Sequence, residues 1–374
     1  MPSDILLTDY LLNLHKIIQA LFMKLFNLLL QLSFLLCFPS CIRLSEPSGR
    51  EPVTCRYARY FDILEDGSSI VVISPFDGSS DTLKIEEPMD NIICMSSSSV
   101  AALSEIGADS VITAVSGAAY LTNPSVRTRH DIGYDASLDY ERIISLNPDL
   151  LVTYTVSGAE PPYIIKLRDS GVPLLVIHDH LEMHPLARAE YLRLFGALTG
   201  LSHKADSVFF HVCERYEAIA KPADEMQRVK VLMNIPYGDA WYIPGQDSYM
   251  SRLIRDAGGE VLGTEPGKSK SSVITLEQAY ALSQEADLWL NPGFCRTREE
   301  LGAVHQLFPS FGPLAKGLPV YNNTLRKTPE GGNDFWESGS VRPDLVLEDL
   351  LLIMSSLSDP ASQDGGLKYH LQLK

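Results

Sequence analysis

Apolar and polar positions follow three successive patterns along the chain. Between Tyr57 and Ile85, short runs of β-forming residues are separated by turn signals, and the Asp66-Gly67 pair between two such runs predicts a β-hairpin. From Asn91 onward, short apolar runs alternate with stretches of helical periodicity, which is the pattern of parallel α/β architecture. The predicted strands are 91–95, 111–115, 150–155 and 174–177 in the first half, and 229–234, 287–290 and 318–321 in the second.

The longest helical pattern separates these two halves. It runs from Pro185 to Ile219, and Gly200 lies between its two stretches, where a break or kink is expected. The simplest assembly is an α/β fold of two Rossmann-like lobes bridged by a long α-helix, with an N-terminal β-hairpin extension. The predicted boundaries are 57–183 for the N-terminal lobe with its β extension, 184–222 for the linker helix and 223–374 for the C-terminal lobe.

The N-terminus carries an apolar run of 14 residues, Leu25 to Phe38, which is too short to cross a bilayer as a helix. This run and the preceding Met23-Lys24 fit the apolar and basic regions of a secretory signal peptide, so we expect translation to begin at Met23. Cys41 follows the run and resembles the lipidated cysteine of bacterial lipoproteins. We therefore predict a lipoprotein signal region over 1–41, lipidation at Cys41 and a polar tether over 42–56, with an uncleaved membrane anchor as the alternative.

The charge balance narrows the possible partners. The 374 residues include 31 basic and 47 acidic side chains, and the net charge of −16 argues against nucleic acid because it repels a phosphate backbone. Hydrophobic residues make up 45% of the chain, which is enough to bury full-sized cores and excludes a disordered protein.

The sequence contains no recognisable catalytic motif. No Gly-rich nucleotide loop, H-E-x-x-H motif or G-x-S-x-G motif occurs in a strand-to-helix setting, so we assign no catalytic residue. The cysteines of the predicted folded part are widely spaced, and the sequence leaves their disulfide state open: Cys55, Cys94, Cys213 and Cys295.

Two serines lie between a predicted strand and a predicted helix. The backbone amides around Ser97 and Ser98 are placed to receive an anion or a polar ligand group, although serines at this position also serve as helix caps. The sequence leaves both interpretations open.

A histidine-rich segment follows another predicted strand. His178, His180 and His184, with Asp179 and Glu182 among them, are ligand types that suit zinc or iron. No other segment supplies a nameable further ligand, so we predict no metal site and leave open whether the cluster binds metal.

Aromatic residues recur at the predicted strand ends of both halves. A loop that places aromatic rings beside polar groups can hold a large, flat, partly apolar ligand, although each ring taken singly is as easily a packing residue. The predicted aromatic contacts are Tyr120, Tyr134, Tyr154, Trp241, Tyr242, Phe294 and Trp336.

Several stretches resemble the periplasmic binding proteins of iron-siderophore, haem and cobalamin ABC importers. The most specific stretch is Leu138 to Val152, with the wording LDYERIISLNPDLLV, and Leu276-Glu277-Gln278-Ala279 repeats part of it in the second half. Asn91 to Ser98 and Ala257-Gly258-Gly259 also match, and the resemblance covers about residues 90–355.

The resemblance implies a bilobal receptor that binds its ligand between the lobes and performs no catalysis. It implies that Glu141 and Glu277 dock into arginine pockets of a membrane permease, which works with its ATPase. We expect a monomer on the outer face of the cytoplasmic membrane, attached through a lipid anchor only, with no resident cofactor. A metal-dependent enzyme on a doubly wound fold and a structural surface lipoprotein are the alternatives from other classes.

The identity of the chelate stays open at the level of sequence. We expect an iron complex, either a siderophore or haem, with cobalamin as the alternative. A haem receptor needs an axial ligand, for which the candidates are Tyr120, Tyr134, His180 and His184. An anionic siderophore needs cationic groups, for which Arg296 and Arg326 are the candidates.

Overall fold

An antiparallel three-stranded sheet opens the described part of the chain. The computed structural model describes residues 55–64, 67–220, 228–357 and 366–374, which belong to a compact unit spanning 52–374. The predicted signal region, the lipidation site Cys41 and most of the tether lie outside the described residues.

This first sheet consists of β1 (Phe61–Ile63), β2 (Ser69–Ile73) and β3 (Ser80–Lys84). The antiparallel pairing of β1 with β2 confirms the predicted hairpin, and β3 extends it to a meander. We refer to residues 60–84 as the N-terminal meander. Phe61 and Ile70 are fully buried, and the Phe61 ring packs against Tyr191 with ring centroids 4.5 Å apart, so the meander shares a core with the helical segment that carries Tyr191.

Two buried carboxylates hold the chain where it enters the meander. Charge-assisted hydrogen bonds from backbone N–H groups to carboxylates are stronger than neutral ones, and here five consecutive residues donate them. The bonds measure 2.7–3.0 Å, from Arg56, Tyr57 and Ala58 to Glu190 and from Arg59 and Tyr60 to Glu182.

The first lobe is a parallel five-stranded sheet in the order β6-β5-β4-β7-β8. Its central strands are buried apolar runs, as strands covered on both faces by helices must be. The elements are β4 (Ile92–Cys94), α1 (Ser97–Glu105), β5 (Ile112–Val115), β6 (His130–Asp131), α2 (Tyr140–Leu146), β7 (Leu150–Tyr154), α3 (Pro162–Asp169) and β8 (Leu174–Ile177).

The linker between the lobes is a pair of helices, α4 (Pro185–Leu198) and α5 (Ser202–Ile219). The sequence predicted a single long linker helix over 184–222, whereas the structure contains two helices. The break between them falls at Gly200, where the sequence predicted a break or kink. Gly200 adopts a φ of 70°, in the left-handed region that commonly ends helices. The two helices pack closely, because a Cβ atom on Gly196 would collide with the Ala205 side chain.

The second lobe repeats the strand arrangement of the first. Its sheet has the order β11-β9-β13-β14-β15, so β11-β9-β13-β14 corresponds to β5-β4-β7-β8. The strands are β9 (Val229–Met233), β10 (Trp241–Ile243), β11 (Gly259–Val261), β12 (Ser272–Ile274), β13 (Leu288–Leu290), β14 (Val320–Asn322) and β15 (Leu371–Gln372). The helices are α6 (Tyr249–Asp256), α7 (Leu276–Glu285), α8 (Arg298–Val304), α9 (Gly312–Ala315), α10 (Ser338–Val341) and α11 (Pro343–Ser356).

Hydrogen bonds form a second connection between the lobes, in addition to the linker. The buried carboxylate of Glu337, just before α10, accepts the backbone N–H groups of Thr122 and Asn123 of the first lobe at 2.6 and 3.0 Å. The Oγ1 of Thr122 also donates to Asp334 at 2.9 Å. These bonds fix the two lobes against each other.

Within the ranges that the structure describes, no helix combines the length and apolar character needed to span a membrane.

Candidate ligand-binding cleft

A cavity of about 810 Å³ lies among strand ends from both lobes. Ligands of parallel α/β sheets bind at the carboxyl ends of the strands, and the lining residues lie there. In the first lobe they follow β7 and β8, and in the second they follow β9, β13 and β14. The linker helix α4 and the N-terminal meander also contribute to the walls.

The loop after β8 forms the first-lobe wall and is held by the linker. His180 and Leu181 line the cavity. Arg188 of α4 donates hydrogen bonds to the carbonyl oxygens of His180 at 2.7 Å and of Glu182 at 3.4 Å. The Arg188 guanidinium carbon also lies 3.9 Å from the ring centroid of Tyr249 in α6. One linker residue therefore positions the cavity loop and contacts the second lobe.

Of the three histidines in the segment 178–184, His180 is the one that lines the cavity. Both of its ring nitrogens are shielded from solvent and have no partner within hydrogen-bond distance in the described structure, and the nearest carboxylate oxygen, Asp179 Oδ1, lies 3.9 Å from Nδ1. The Tyr154 ring packs edge-on against it, with centroids 5.6 Å apart. An imidazole nitrogen without a hydrogen-bond partner is a suitable ligand for the iron of a chelate.

The other two histidines of the segment have structural roles, since His178 packs against aromatic rings and His184 caps a helix. His178 lies edge-on to both Tyr60 and Phe76, with centroids 6.4 and 5.9 Å away, and burial lowers its pKa to about 4. His184 caps α4, where its Nδ1 accepts the N–H of Leu186 at 3.1 Å, and burial lowers its pKa to about 4. Among the described residues, no group of three His, Cys, Asp or Glu side chains is arranged to hold a bare metal ion.

The cavity is basic although the chain is acidic. Three lining residues are basic, Arg188, Lys270 and Lys327, and a single described one is acidic, Glu182. The Lys327 Nζ lies 4.7 Å from the ring centroid of Phe294, so an apolar surface borders the cationic one. A concave surface of this sign attracts anions.

Glu182 is an unusual carboxylate because it is almost fully buried between the cavity and the meander. Burial raises its pKa to about 7, against the opposing effect of the N–H groups of Arg59 and Tyr60. Those N–H groups bind its Oε1, whereas its buried Oε2 has no partner in the described structure.

Three of the predicted aromatic residues lie at the cavity. Phe294 and Trp336 line it with 79% and 48% of their surfaces exposed, and Tyr154 packs on the lining residue His180. Their contact with a ligand stays a prediction.

Trp241, which the sequence analysis predicted as a ligand contact, is instead buried and does not line the cavity. Its side chain is 1% exposed, its ring stacks on Phe311 and Trp289, and its Nε1 donates to the Met233 carbonyl at 2.9 Å. Trp241 is a core residue of the second lobe, because alternate residues of β10 face opposite sides and this one faces inward. Tyr242 faces outward and is not among the lining residues.

Tyr120 and Tyr134 form a pair outside the cavity lining. Their rings lie edge-on, with centroids 6.0 Å apart, and each residue is about half exposed. Gly332 of the second lobe approaches the Tyr120 carbonyl so closely that a Cβ there would collide with it. Tyr120 therefore lies at the contact between lobes, with its ring 3.9 Å from the Cβ position of the lining residue Gly331, and ligand contact by either tyrosine stays a prediction.

The serines after β4 cap a helix and do not line the cavity. Ser96 caps α1 by accepting the N–H of Ser99 at 3.2 Å, and neither Ser97 nor Ser98 lines the cavity. Ser97 instead donates from Oγ to the carbonyl of Trp336 at 3.4 Å, which adds to the contact between lobes.

The two predicted arginines also lie elsewhere. Arg296 is outside the lining, and Arg326 forms an ion pair with Asp334 at 2.7 Å. The cationic groups of the cleft are Arg188, Lys270 and Lys327, none of which is marked by a motif in the sequence. Lysines on loops carry no local signal, because most of them simply face solvent.

Glu141 and Glu277 are both exposed, as predicted for docking residues. Each lies in the first turn of a helix, α2 in the first lobe and α7 in the second. The first turn of a helix stabilises a carboxylate, and hydrogen bonds from its own N–H and from Thr275 lower the pKa of Glu277.

The sequence matches a protein-family model and is similar to lipoproteins of known organisms. A family model described as "Periplasmic binding protein" matches residues 92–296. An uncharacterized lipoprotein of Methanocaldococcus jannaschii is 22% identical over 285 residues, which are 72% of this chain and 66% of the relative. An uncharacterized ABC transporter substrate-binding lipoprotein of Bacillus subtilis is 23% identical over 124 residues, 32% of this chain and 39% of the relative. The matches thus span slightly under two thirds of the first relative and about two fifths of the second.

Solved structures with the same fold include a haem-binding protein and a vitamin B12 binding protein. The periplasmic haem-binding protein RhuT of Roseiflexus has a TM-score of 0.56 at 18% identity, covering 72% of this chain and 100% of its own. The periplasmic vitamin B12 binding protein BtuF of Vibrio cholerae has a TM-score of 0.53 at 14% identity, covering 73% and 99%. At these identities the likeness shows the fold alone.

Proposed function

Because the chain belongs to the periplasmic binding protein family, we propose that it is the membrane-anchored receptor of an ABC importer and that it binds an anionic iron chelate, with haem as the leading member of that class. The observation that supports this proposal most strongly is the composition of the cleft. Its lining combines basic side chains, an apolar border and a histidine whose ring nitrogens have no hydrogen-bond partner in the described structure.

The charge of the cleft supports an anionic ligand. Three basic residues line it in a chain whose net charge is −16, and a carboxylate-bearing chelate would pair with Lys270 and Lys327. Apolar lining residues are available to the ligand in both lobes, among them Leu181 in the first and Phe294 in the second.

The histidine supports a chelate with an accessible iron. Haem iron is commonly held by a protein His or Tyr, and His180 lines the cavity with Tyr154 packed on it. A siderophore encloses its iron more completely and would use the same cations without coordination by His180.

Cobalamin is the second candidate, and one feature of the lining favours it. Asn234, Asn291, Asn323 and Asn333 line the cavity, and side-chain amides of this kind pair with the amide groups that fringe a corrin. The basic residues count against it, because a corrin carries no matching set of carboxylates.

Delivery requires a permease. Glu141 and Glu277 would pair with guanidinium groups of the membrane partner, one from each lobe, and the ATPase would drive transport. The lipoprotein relatives support an extracytoplasmic, anchored location, and we propose Cys41 as the lipidated residue. If this is so, Cys41→Ser releases the protein from the membrane fraction, and a membrane-bound variant contradicts the assignment.

The test of the ligand is a titration of the purified full-length chain with ferric haem, ferric siderophores and cobalamin, followed by absorption spectroscopy. We expect saturable haem binding, with an iron ligand-field spectrum that changes in His180→Ala and not in the exposed control His203→Ala. Tight cobalamin binding without haem binding would replace the leading candidate, and turnover of any of these compounds would contradict a receptor function.

A further inference from the structure

The N-terminal meander reaches the ligand cleft. Tyr60, Pro75 and Phe76 line the cavity, although all three precede the region matched by the family model, which begins at residue 92. The cleft therefore has a wall that the matched family region does not contain.

Phe76 is placed at the tip of the turn between β2 and β3 and is held there from two sides. Its ring lies edge-on to His178 with centroids 5.9 Å apart. A Cβ atom built on Gly158 would lie 3.2 Å from the Phe76 Cβ, so the side chain rests against the backbone of the loop after β7. Even so, 41% of Phe76 remains exposed.

The turn itself is ordered by its own polar groups. Ser79 donates from both its backbone N–H and its hydroxyl to Asp77, at 3.1 and 2.8 Å. The Phe76 N–H donates to the Ser74 hydroxyl at 3.3 Å. Such side-chain bonds fix a turn locally, so the ring is presented on a defined backbone.

The chain at the start of the meander is also hydrogen-bonded to the lining of the cleft. Glu182 lines the cavity and accepts the N–H groups of Arg59 and Tyr60, so the chain that enters β1 is bonded to the cavity loop. His178 contacts both the Tyr60 and Phe76 rings, which joins the start of the meander and its β2–β3 turn to the first lobe.

We propose that the N-terminal meander is a third wall of the binding cleft and that Phe76 contacts the apolar face of the bound ligand. This inference rests on the proposed function and adds the orientation of the ligand. Phe76 lines the cavity together with the apolar first-lobe residues Val156 and Leu181, whereas the cations Lys270 and Lys327 belong to the second lobe. An amphipathic chelate therefore turns its apolar face to the meander and its anionic groups to the second lobe. Aromatic side chains suit this role because they offer a large contact area with few rotatable bonds.

The experiment compares haem affinity of the full-length wild-type chain with that of three variants. Phe76→Ala removes the ring, Gly158→Val displaces it, and Phe210→Ala removes a half-exposed aromatic on α5 outside the cavity lining. We expect about a tenfold weaker affinity in Phe76→Ala, a smaller loss in Gly158→Val and no change in Phe210→Ala. We also expect haem to slow amide hydrogen exchange of residues 74–79 in the wild-type chain.

The outcomes separate this inference from the proposed function. A wild-type chain that binds no chelate contradicts the proposed function and the inference together. A wild-type chain that binds haem while Phe76→Ala retains its affinity, or while residues 74–79 gain no protection, overturns the inference alone. If Phe76→Ala fails to fold, the exchange measurement and Gly158→Val still decide.

Discussion

Glu141 and Glu277 occupy the same position in two helices of different lobes, the second helical residue after the cap. In each helix the cap side chain accepts the N–H of the residue after the glutamate: Asp139 from Arg142, and Thr275 from Gln278. The repeated strand order of the two sheets extends to these helices, since α2 precedes β7 and α7 precedes the corresponding β13. The pair is suited to a partner that contacts both lobes at once.

We predict that replacing both glutamates abolishes transport without weakening ligand binding. Glu141→Ala with Glu277→Ala removes two exposed charges that we propose to pair with the permease and that lie outside the cavity lining, so ligand affinity should stay within about threefold. Uptake into vesicles that carry the permease measures the first effect, and titration of the purified variant with ligand measures the second.

The matched control for this pair is Glu87→Ala with Glu299→Ala, which removes one exposed carboxylate from each half of the chain. Normal uptake by the Glu141 and Glu277 double variant, or equal loss of uptake in the control, refutes the docking role.

Trp241 gives a prediction of the opposite kind. Trp241→Ala deletes a fully buried ring from a stack with Trp289 and Phe311, so the free energy of unfolding should fall by about 3–5 kcal/mol. Because Trp241 does not line the cavity, the fraction that stays folded should bind ligand with wild-type affinity. Denaturant unfolding with a parallel ligand titration measures both, with Tyr242→Ala as the exposed neighbour. Loss of affinity at unchanged stability would instead show that Trp241 contacts the ligand.

Residues 241 and 242 also show the limit of prediction from sequence. Alternation along β10 establishes that the two side chains face opposite sides, but the packing of the whole lobe decides which side is the core. The alternation of strands and helices along the chain, the hairpin and the break at Gly200 were predictable because each depends on local periodicity or on one residue with special backbone freedom.

The candidate site was predictable where an aromatic ring or a histidine lies on a loop after a predicted strand, as Trp336 also does. Phe294 and His180 were found on that basis, and both line the cavity. Lys270, Lys327 and Phe76 were missed, because they lie on loops whose position depends on contacts far away in the chain. No pattern near Phe76 indicates that Gly158 and His178 will lie beside it.

The contact between lobes supports a prediction about rigidity. Glu337→Ala leaves the N–H groups of Thr122 and Asn123 without their buried acceptor, at a cost of about 1–3 kcal/mol for each unsatisfied group. We expect faster hydrogen exchange at residues 122–123 and a larger radius of gyration in solution scattering. Unchanged exchange and scattering would mean that the linker helices alone hold the lobes together. Glu348→Ala, at a residue whose side chain is 44% exposed, serves as the control.

Glu182 supports a prediction about pH. Its pKa is raised from 4.5 to about 7 by burial, so the folded state holds the proton more tightly than the unfolded state does. A raised acid pKa contributes stability that is fully present below pH 4.5 and is lost as the pH rises through about 7, by up to about 3 kcal/mol. Glu182→Gln keeps a neutral side chain of the same shape at every pH, so it should lack this decline. The free energy of unfolding measured from pH 4.5 to 7.5 should therefore fall less steeply in Glu182→Gln than in the wild-type chain or in the exposed control Glu299→Gln. Since the carboxylate also bonds the meander to the cavity loop, hydrogen exchange at residues 59–60 should report the same titration. Parallel pH profiles for all three proteins would show that Glu182 does not titrate in this range and that the meander is held independently of its charge.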